Sequence, residues 1–151
     1  MTKRLLLVIM LFCSPNLILA DDAKRECLKD DWAETRAFSP AVVTEGGKIA
    51  WLAGVTTTKD KEGNDIGGDF EAQAHEIFRV ISSRLETLGG SLEDIVTMTV
   101  YLKDTRHGTP FVDIRKQYFK KCFPSSALIT VVGFARPDIM LEIKATAVLD
   151  D

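Results

Sequence analysis

The sequence predicts an α+β domain, a mixed sheet with two helices on one face, in the order β-β-α-β-α-β-β. Three observations predict it. Residues 70–88 repeat their apolar side chains every three or four positions, the period of a helix. Residues 127–135 (ALITVVGFA) and 139–149 (IMLEIKATAVL) are apolar runs of strand composition. The glycine pairs Gly46-Gly47 and Gly89-Gly90 punctuate the chain where elements should turn.

The first twenty residues stand apart. Lys3 and Arg4 precede an apolar run from Leu5 to Phe12, and Ala20 offers a small residue for cleavage. The pattern predicts a secretory signal peptide cut after Ala20, because the run is too short to span a bilayer. Its loss takes Lys3 and Arg4 from the 19 basic residues, leaving 17 against 22 acidic, a net charge of −5. Such a chain is expected to be secreted or periplasmic, free of the membrane, and not built to neutralise nucleic-acid phosphates. Residues 21–35 read as a charged extension with apolar anchors at Leu28 and Trp32. The remainder, 36–151, reads as one domain.

A first strand is expected over residues 38–43 and a second over 48–55, joined as a hairpin through Gly46-Gly47. Residues 56–68 are a polar, glycine-rich loop. Asp69 caps the first helix, in which Phe70, Ala74, Ile77, Phe78, Ile81, Leu85 and Leu88 share one face. A third strand follows over 96–102. Pro110 suits the first turn of a second helix running to about residue 123. Two strands complete the order. With two helices for one sheet face, the apolar second face is expected to be covered by self-association.

Two residues break the apolar pattern. With Phe111 set at zero and about 100° per residue, Arg115 falls near 40°, inside the arc of Ile114, Tyr118 and Cys122. An arginine there must pair with an anion, reach a cleft, or bend outward to solvent. Glu142 alternates away from Leu141, Ile143 and Ala145, on the face of Lys144 and Thr146. In a covered cleft it could act as acid or base; in solvent it is ordinary. Arg136, before Pro137, reads as an exposed loop arginine. His75 and His107 lack the partner spacing of a triad. No CxxC or histidine cluster supports a metal site, and no motif calls for a cofactor. Cys27 and Cys122 could form one disulfide, or Cys122 could pack as a small buried hydrophobe.

Read in order, AFSPA (37–41), LAGV (52–55), Gln73, VYLKD (100–104), PSSA (124–127) and LEIKA (141–145) resemble the signature stretches of the RidA/YjgF family of enamine/imine deaminases. The resemblance runs from about residue 37 to 149. It implies a chorismate-mutase-like α+β fold and a homotrimer with ligand clefts between subunits. In those deaminases an arginine of the PARS turn grips the carboxylate of a 2-imino acid. A glutamate of the last strand positions water, and backbone groups hold the imine. Glu142 matches that glutamate, and Gly54 matches the glycine that ends the second strand. Ser126 stands where the arginine is, Phe38 where a tyrosine is, Leu128 where a cysteine is frequent, and Arg115 where many relatives carry asparagine. The resemblance thus implies Glu142 as the catalytic residue, with Arg115, Phe38, Gly54, Ser126 and Leu128 around a small-molecule substrate.

A serine hydroxyl does not replace a bidentate guanidinium–carboxylate pair. Standard 2-imino-acid deamination is therefore expected to be weak, unless Arg115 supplies the positive charge from another wall. The expected function is action on, or binding of, a small reactive imine, enamine or related carbonyl metabolite. The alternatives are a non-catalytic ligand-binding trimer and, from wider family association, a ribonuclease, which the acidic charge disfavours.

Overall fold

A computed structural model describes residues 23–151; the expected signal peptide lies outside the described residues. Its element order is β1 (Lys24–Cys27), α1 (Asp31–Thr35), β2 (Val42–Glu45), β3 (Lys48–Trp51), α2 (Phe70–Thr87), β4 (Ile95–Leu102), α3 (Gly108–Arg115), β5 (Ser125–Thr130) and β6 (Leu141–Leu149). Short 3-10 turns at Leu92–Asp94 and Thr105–His107 lead into and out of β4. The main sheet has the order β3-β6-β4-β5, with β4 and β5 parallel and the other neighbours antiparallel. No described helix is long and apolar enough to cross a membrane.

The core forms where both helices cover one sheet face. Ile77, Phe78, Ile81 and Leu85 of α2 meet Phe111 and Ile114 of α3 over Met98, Val100 and Leu102 of β4 and Leu141, Ile143 and Ala145 of β6. Helix α2 begins as the sequence requires: the Asp69 carboxylate accepts from the Ala72 N–H at 3.0 Å. Gln73 is buried and fully used. It donates to the carbonyls of Ile66 and Asp138 (3.0 and 2.7 Å) and accepts from Met140 N at 2.9 Å. One amide thus ties the polar loop to the approach of β6, two residues before Glu142.

Several expectations change. The hairpin through Gly46-Gly47 does not form: β2 pairs with β1, and β3 with β6. The first strand begins later than expected, at Val42, and residue 39 makes only an isolated bridge to Ser125. The reason is β1, which takes the pairing edge that β3 was expected to offer. The anchors expected at Leu28 and Trp32 are exposed. The N-terminal segment is held instead by β1–β2 pairing, buried Ala33 and Ala37, and a Cys27–Cys122 disulfide with Cα atoms 6.3 Å apart. Leu88, expected on the core face of α2, is the helix cap and is exposed.

Helix α3 stops at Arg115, well short of residue 123. Tight turns carry the chain through Tyr118. The backbone N–H groups of Lys120 and Lys121 then donate to the Glu93 carboxylate (2.7 and 3.4 Å). These external acceptors draw the segment off the helical path and deliver Cys122 to Cys27.

No described element covers the second sheet face. Trp51 is 78% exposed, and Ile49 and Ile129 are also exposed.

Candidate functional site

The helix-covered face of the sheet holds a pocket of about 300 Å³ near its β5 edge, lined by Trp32, Arg36, Phe38, Val112, Arg115, Ser126 and Leu128. Register explains the convergence. Ser126 and Leu128 of β5 pair with Met98 and Val100 of β4, so their side chains share the core side of the sheet. Arg115, on the last turn of α3, points down onto the same side.

Arg115 is 2% exposed. Its Nη1 donates to Ser126 Oγ at 2.6 Å, and its Nη2 donates to the Arg36 carbonyl at 2.7 Å. The guanidinium carbon lies 5.5 Å from the centre of the Phe111 ring. No carboxylate pairs with it among the described residues, and its Nε has no partner. Burial, and secondarily repulsion from Arg36, push its pKa down to about 10, so it remains a cation at neutral pH. A buried charge without a counter-charge is costly to fold around. Such a group ordinarily finds an anion, and here the free volume beside it is the pocket.

The N-terminal segment builds one wall of this pocket. Asp30 caps the start of helix α1, its carboxylate accepting from Ala33 N at 2.9 Å. Arg36 caps its end, and Ala37 then turns sharply at φ 57°. That turn leaves the Arg36 carbonyl facing Arg115 and sends Phe38 along the pocket, with its ring 5.6 Å from Trp32 in an edge contact. Ser39 next donates to the Phe123 carbonyl at 2.6 Å, fixing the chain beside β5.

Glu142 lies elsewhere. Met98 pairs with Ala145, so Arg115 and Met98 share the face of Leu141, Ile143 and Ala145. Glu142 pairs with Tyr101 and points to the opposite face, half-buried. Its companion there is Gly54, where a Cβ would sit 2.8 Å from Glu142 Cδ. Only a glycine lets the carboxylate lie against that stretch of backbone.

The structure therefore brings Arg115, Phe38, Ser126 and Leu128 into one pocket and joins Gly54 to Glu142 on the other side of the sheet. It does not bring the two groups together in one chain. Trp32, Arg36 and Val112 escape the sequence reading. The aspartate cap at Asp30 was the available signal for α1; nothing in the sequence pattern aims Arg36 at α3. Arg136 is an exposed side chain engaged by Asp138, at 3.1 and 2.5 Å. His75 meets the Tyr118 hydroxyl at 2.6 Å, and His107 stacks on Phe70 at 4.1 Å. No cluster of metal-ligating side chains occurs among the described residues.

Comparison with known proteins gives this geometry a context. Residues 29–149 match the family model described as endoribonuclease L-PSP. A RutC family protein of Pyrococcus horikoshii, PH0854, is 29% identical over 110 residues, covering 73% of this chain and 85% of the relative. A second, PYRAB12510 of Pyrococcus abyssi, is 29% identical over 101 residues, covering 67% and 79%. Among solved structures, the Rid-family protein YyfB of Yersinia pestis, described as of unknown function, superposes with a TM-score of 0.73 at 22% identity, covering 83% of this chain and 98% of its own. Rv2704 of Mycobacterium tuberculosis, of the YjgF/YER057c/UK114 family, gives 0.59 at 24% identity, covering 83% of this chain and all of its own (100%).

Proposed function

The chain belongs to the endoribonuclease L-PSP family, the RutC/YjgF/RidA group, and from that premise we propose that it binds and hydrolyses a small imine, enamine or related carbonyl metabolite bearing an anionic group. One observation carries the reading: a buried Arg115 guanidinium, with no acid partner among the described residues, faces a pocket large enough for a small metabolite. Arg115 takes the role that a turn arginine would have had at Ser126. It receives the anion from α3 instead, and Ser126 steadies the guanidinium by accepting from Nη1.

Hydrolysis needs a group that positions water. Glu142 has that chemistry, and its contact with Gly54 holds it close to the backbone. Because Glu142 and Arg115 occupy opposite faces of the sheet, the complete site in this reading is formed by two copies. Glu142 of one copy then approaches the Arg115 pocket of another. The uncovered apolar residues Ile49, Trp51 and Ile129 support such an assembly, a homotrimer by analogy with the RidA/YjgF family. Export through residues 1–20 to a secreted or periplasmic location belongs to the same proposal, and the Cys27–Cys122 disulfide accords with an oxidising compartment. Neither nucleic acid nor a cofactor has a part in it.

The test generates 2-imino acids in situ and measures oxo-acid release by the wild type and by Glu142→Gln. Loss of acid/base chemistry should slow release by roughly 10²-fold or more while carboxylate binding persists. Equal rates in the two proteins would remove the hydrolytic half of the proposal and leave a ligand-binding protein.

A further inference from the structure

Resting on that reading of the Arg115 pocket, we propose that its ligand is a dianion with a flat apolar body, either an aromatic dicarboxylate or an aryl phosphate monoester. The charge of the pocket is the first ground. Two arginines, Arg36 and Arg115, line it, and no aspartate or glutamate does. Arg115 is buried with its Nε unpartnered, and neither guanidinium is in an ion pair among the described residues. The two charges are close enough that Arg36 makes Arg115 easier to deprotonate. A monoanion would leave one of two mutually repelling cations without a counter-charge. A ligand with two negative charges on one end, or on adjacent substituents, neutralises both.

The shape of the pocket is the second ground. The rest of the lining is apolar: Trp32, Phe38, Val112 and Leu128. Trp32 is 67% exposed, an indole left in water at a pocket rim with its edge contact to Phe38 already made. An aromatic ring laid against the exposed indole would cover that apolar surface. Arg36 and Trp32 both come from α1, so selectivity for the second charge and for the ring resides in the N-terminal segment, whereas α3 supplies the first charge.

Isothermal titration of the disulfide-intact protein with benzoate, phthalate, phenyl phosphate and succinate tests this. Phthalate or phenyl phosphate should bind at least tenfold more tightly than benzoate, and whichever of the two is favoured identifies the anionic group. Arg36→Ala should abolish that advantage, weakening phthalate or phenyl phosphate at least tenfold more than it changes benzoate. This variant keeps the backbone carbonyl that accepts from Arg115. Trp32→Ala should weaken the aromatic probes and spare succinate. Equal affinity for benzoate and both aromatic dianions would overturn the proposal while leaving Arg115 as a monoanion site. Binding of all probes that survives Arg115→Met, or binding of none by the wild type, would overturn the underlying site as well.

Discussion

The two faces of the main sheet treat charge in opposite ways. On the helix-covered face, Arg115 is buried beside the pocket, with no carboxylate paired to it among the described residues. On the open face, Glu142 is half-buried beside a glycine, with no cation paired to it among the described residues. In the proposed reading neither half of one protomer runs hydrolysis alone: the cation without a base would hold a ligand, and the base without a cation would have nothing to orient. The contrast then makes binding and chemistry separable. Substitutions on one face should change affinity, and those on the other should change turnover.

The largest expected effect is on the buried side. Replacing Arg115 with methionine keeps the bulk and removes the charge. Carboxylate affinity should fall by about 2–5 kcal/mol, as when one partner of a buried charge pair is truncated. Folding stability should change by only about 1 kcal/mol, because the cost of burying an uncompensated guanidinium disappears with it. Titration calorimetry and denaturant melts read the two quantities separately. If stability collapsed and affinity did not, Arg115 would be a structural residue and the contrast between the faces would fail.

The disulfide is the next largest. Cys27 and Cys122 are separated by 95 residues in sequence, so their link restrains most of the unfolded chain. Removing it through Cys122→Ser should cost about 2–4 kcal/mol. The same change frees the segment that carries Trp32 and Arg36 from its covalent anchor. Probes that use the α1 wall should weaken more than benzoate, which needs Arg115 alone. Uniform weakening of every probe would show that the segment supports the pocket without selecting its ligand.

Periodicity made the core legible. The face of Ile77, Phe78, Ile81 and Leu85 could be read because a long amphipathic helix repeats its signal several times. One angle on a helical wheel placed Arg115 inside the apolar arc but left an outward bend open; the structure buries it. The end of α3 was not legible, because Glu93 captures the Lys120 and Lys121 amides from outside the helix. Nor was β1: four residues, three of them charged (KREC), carry almost no strand signal, and pairing with β2 decides their conformation. The resemblance named Phe38, Arg115, Ser126 and Leu128, which the structure gathers in one pocket, and Gly54 and Glu142, which it sets together on the other face. It did not find the wall from α1, whose Trp32 and Arg36 have no counterpart among the motifs that carried it. Nor does strand alternation within one chain reveal whether two faces meet in an assembly.

The smallest effect should come from Gly54→Ala, and it sharpens the comparison most. The added methyl would stand 2.8 Å from Glu142 Cδ, nearer than carbon atoms pack. Its neighbour is the far end of a flexible side chain, so the carboxylate can swing aside, and the stability cost should stay near or below the ~1 kcal/mol lower bound for overpacking. The backbone at Gly54 is outside the left-handed region, so alanine adds no conformational strain there. Turnover should nevertheless fall, because Glu142 would be displaced from the position that the glycine permits, and even a 1 Å misplacement can cost about 10²-fold. Affinity for benzoate, set by Arg115, should fall far less than turnover. A variant that lost binding along with turnover would mean that Glu142, reaching the pocket from a second copy in the proposed assembly, also holds the ligand, so that binding and chemistry are not separable.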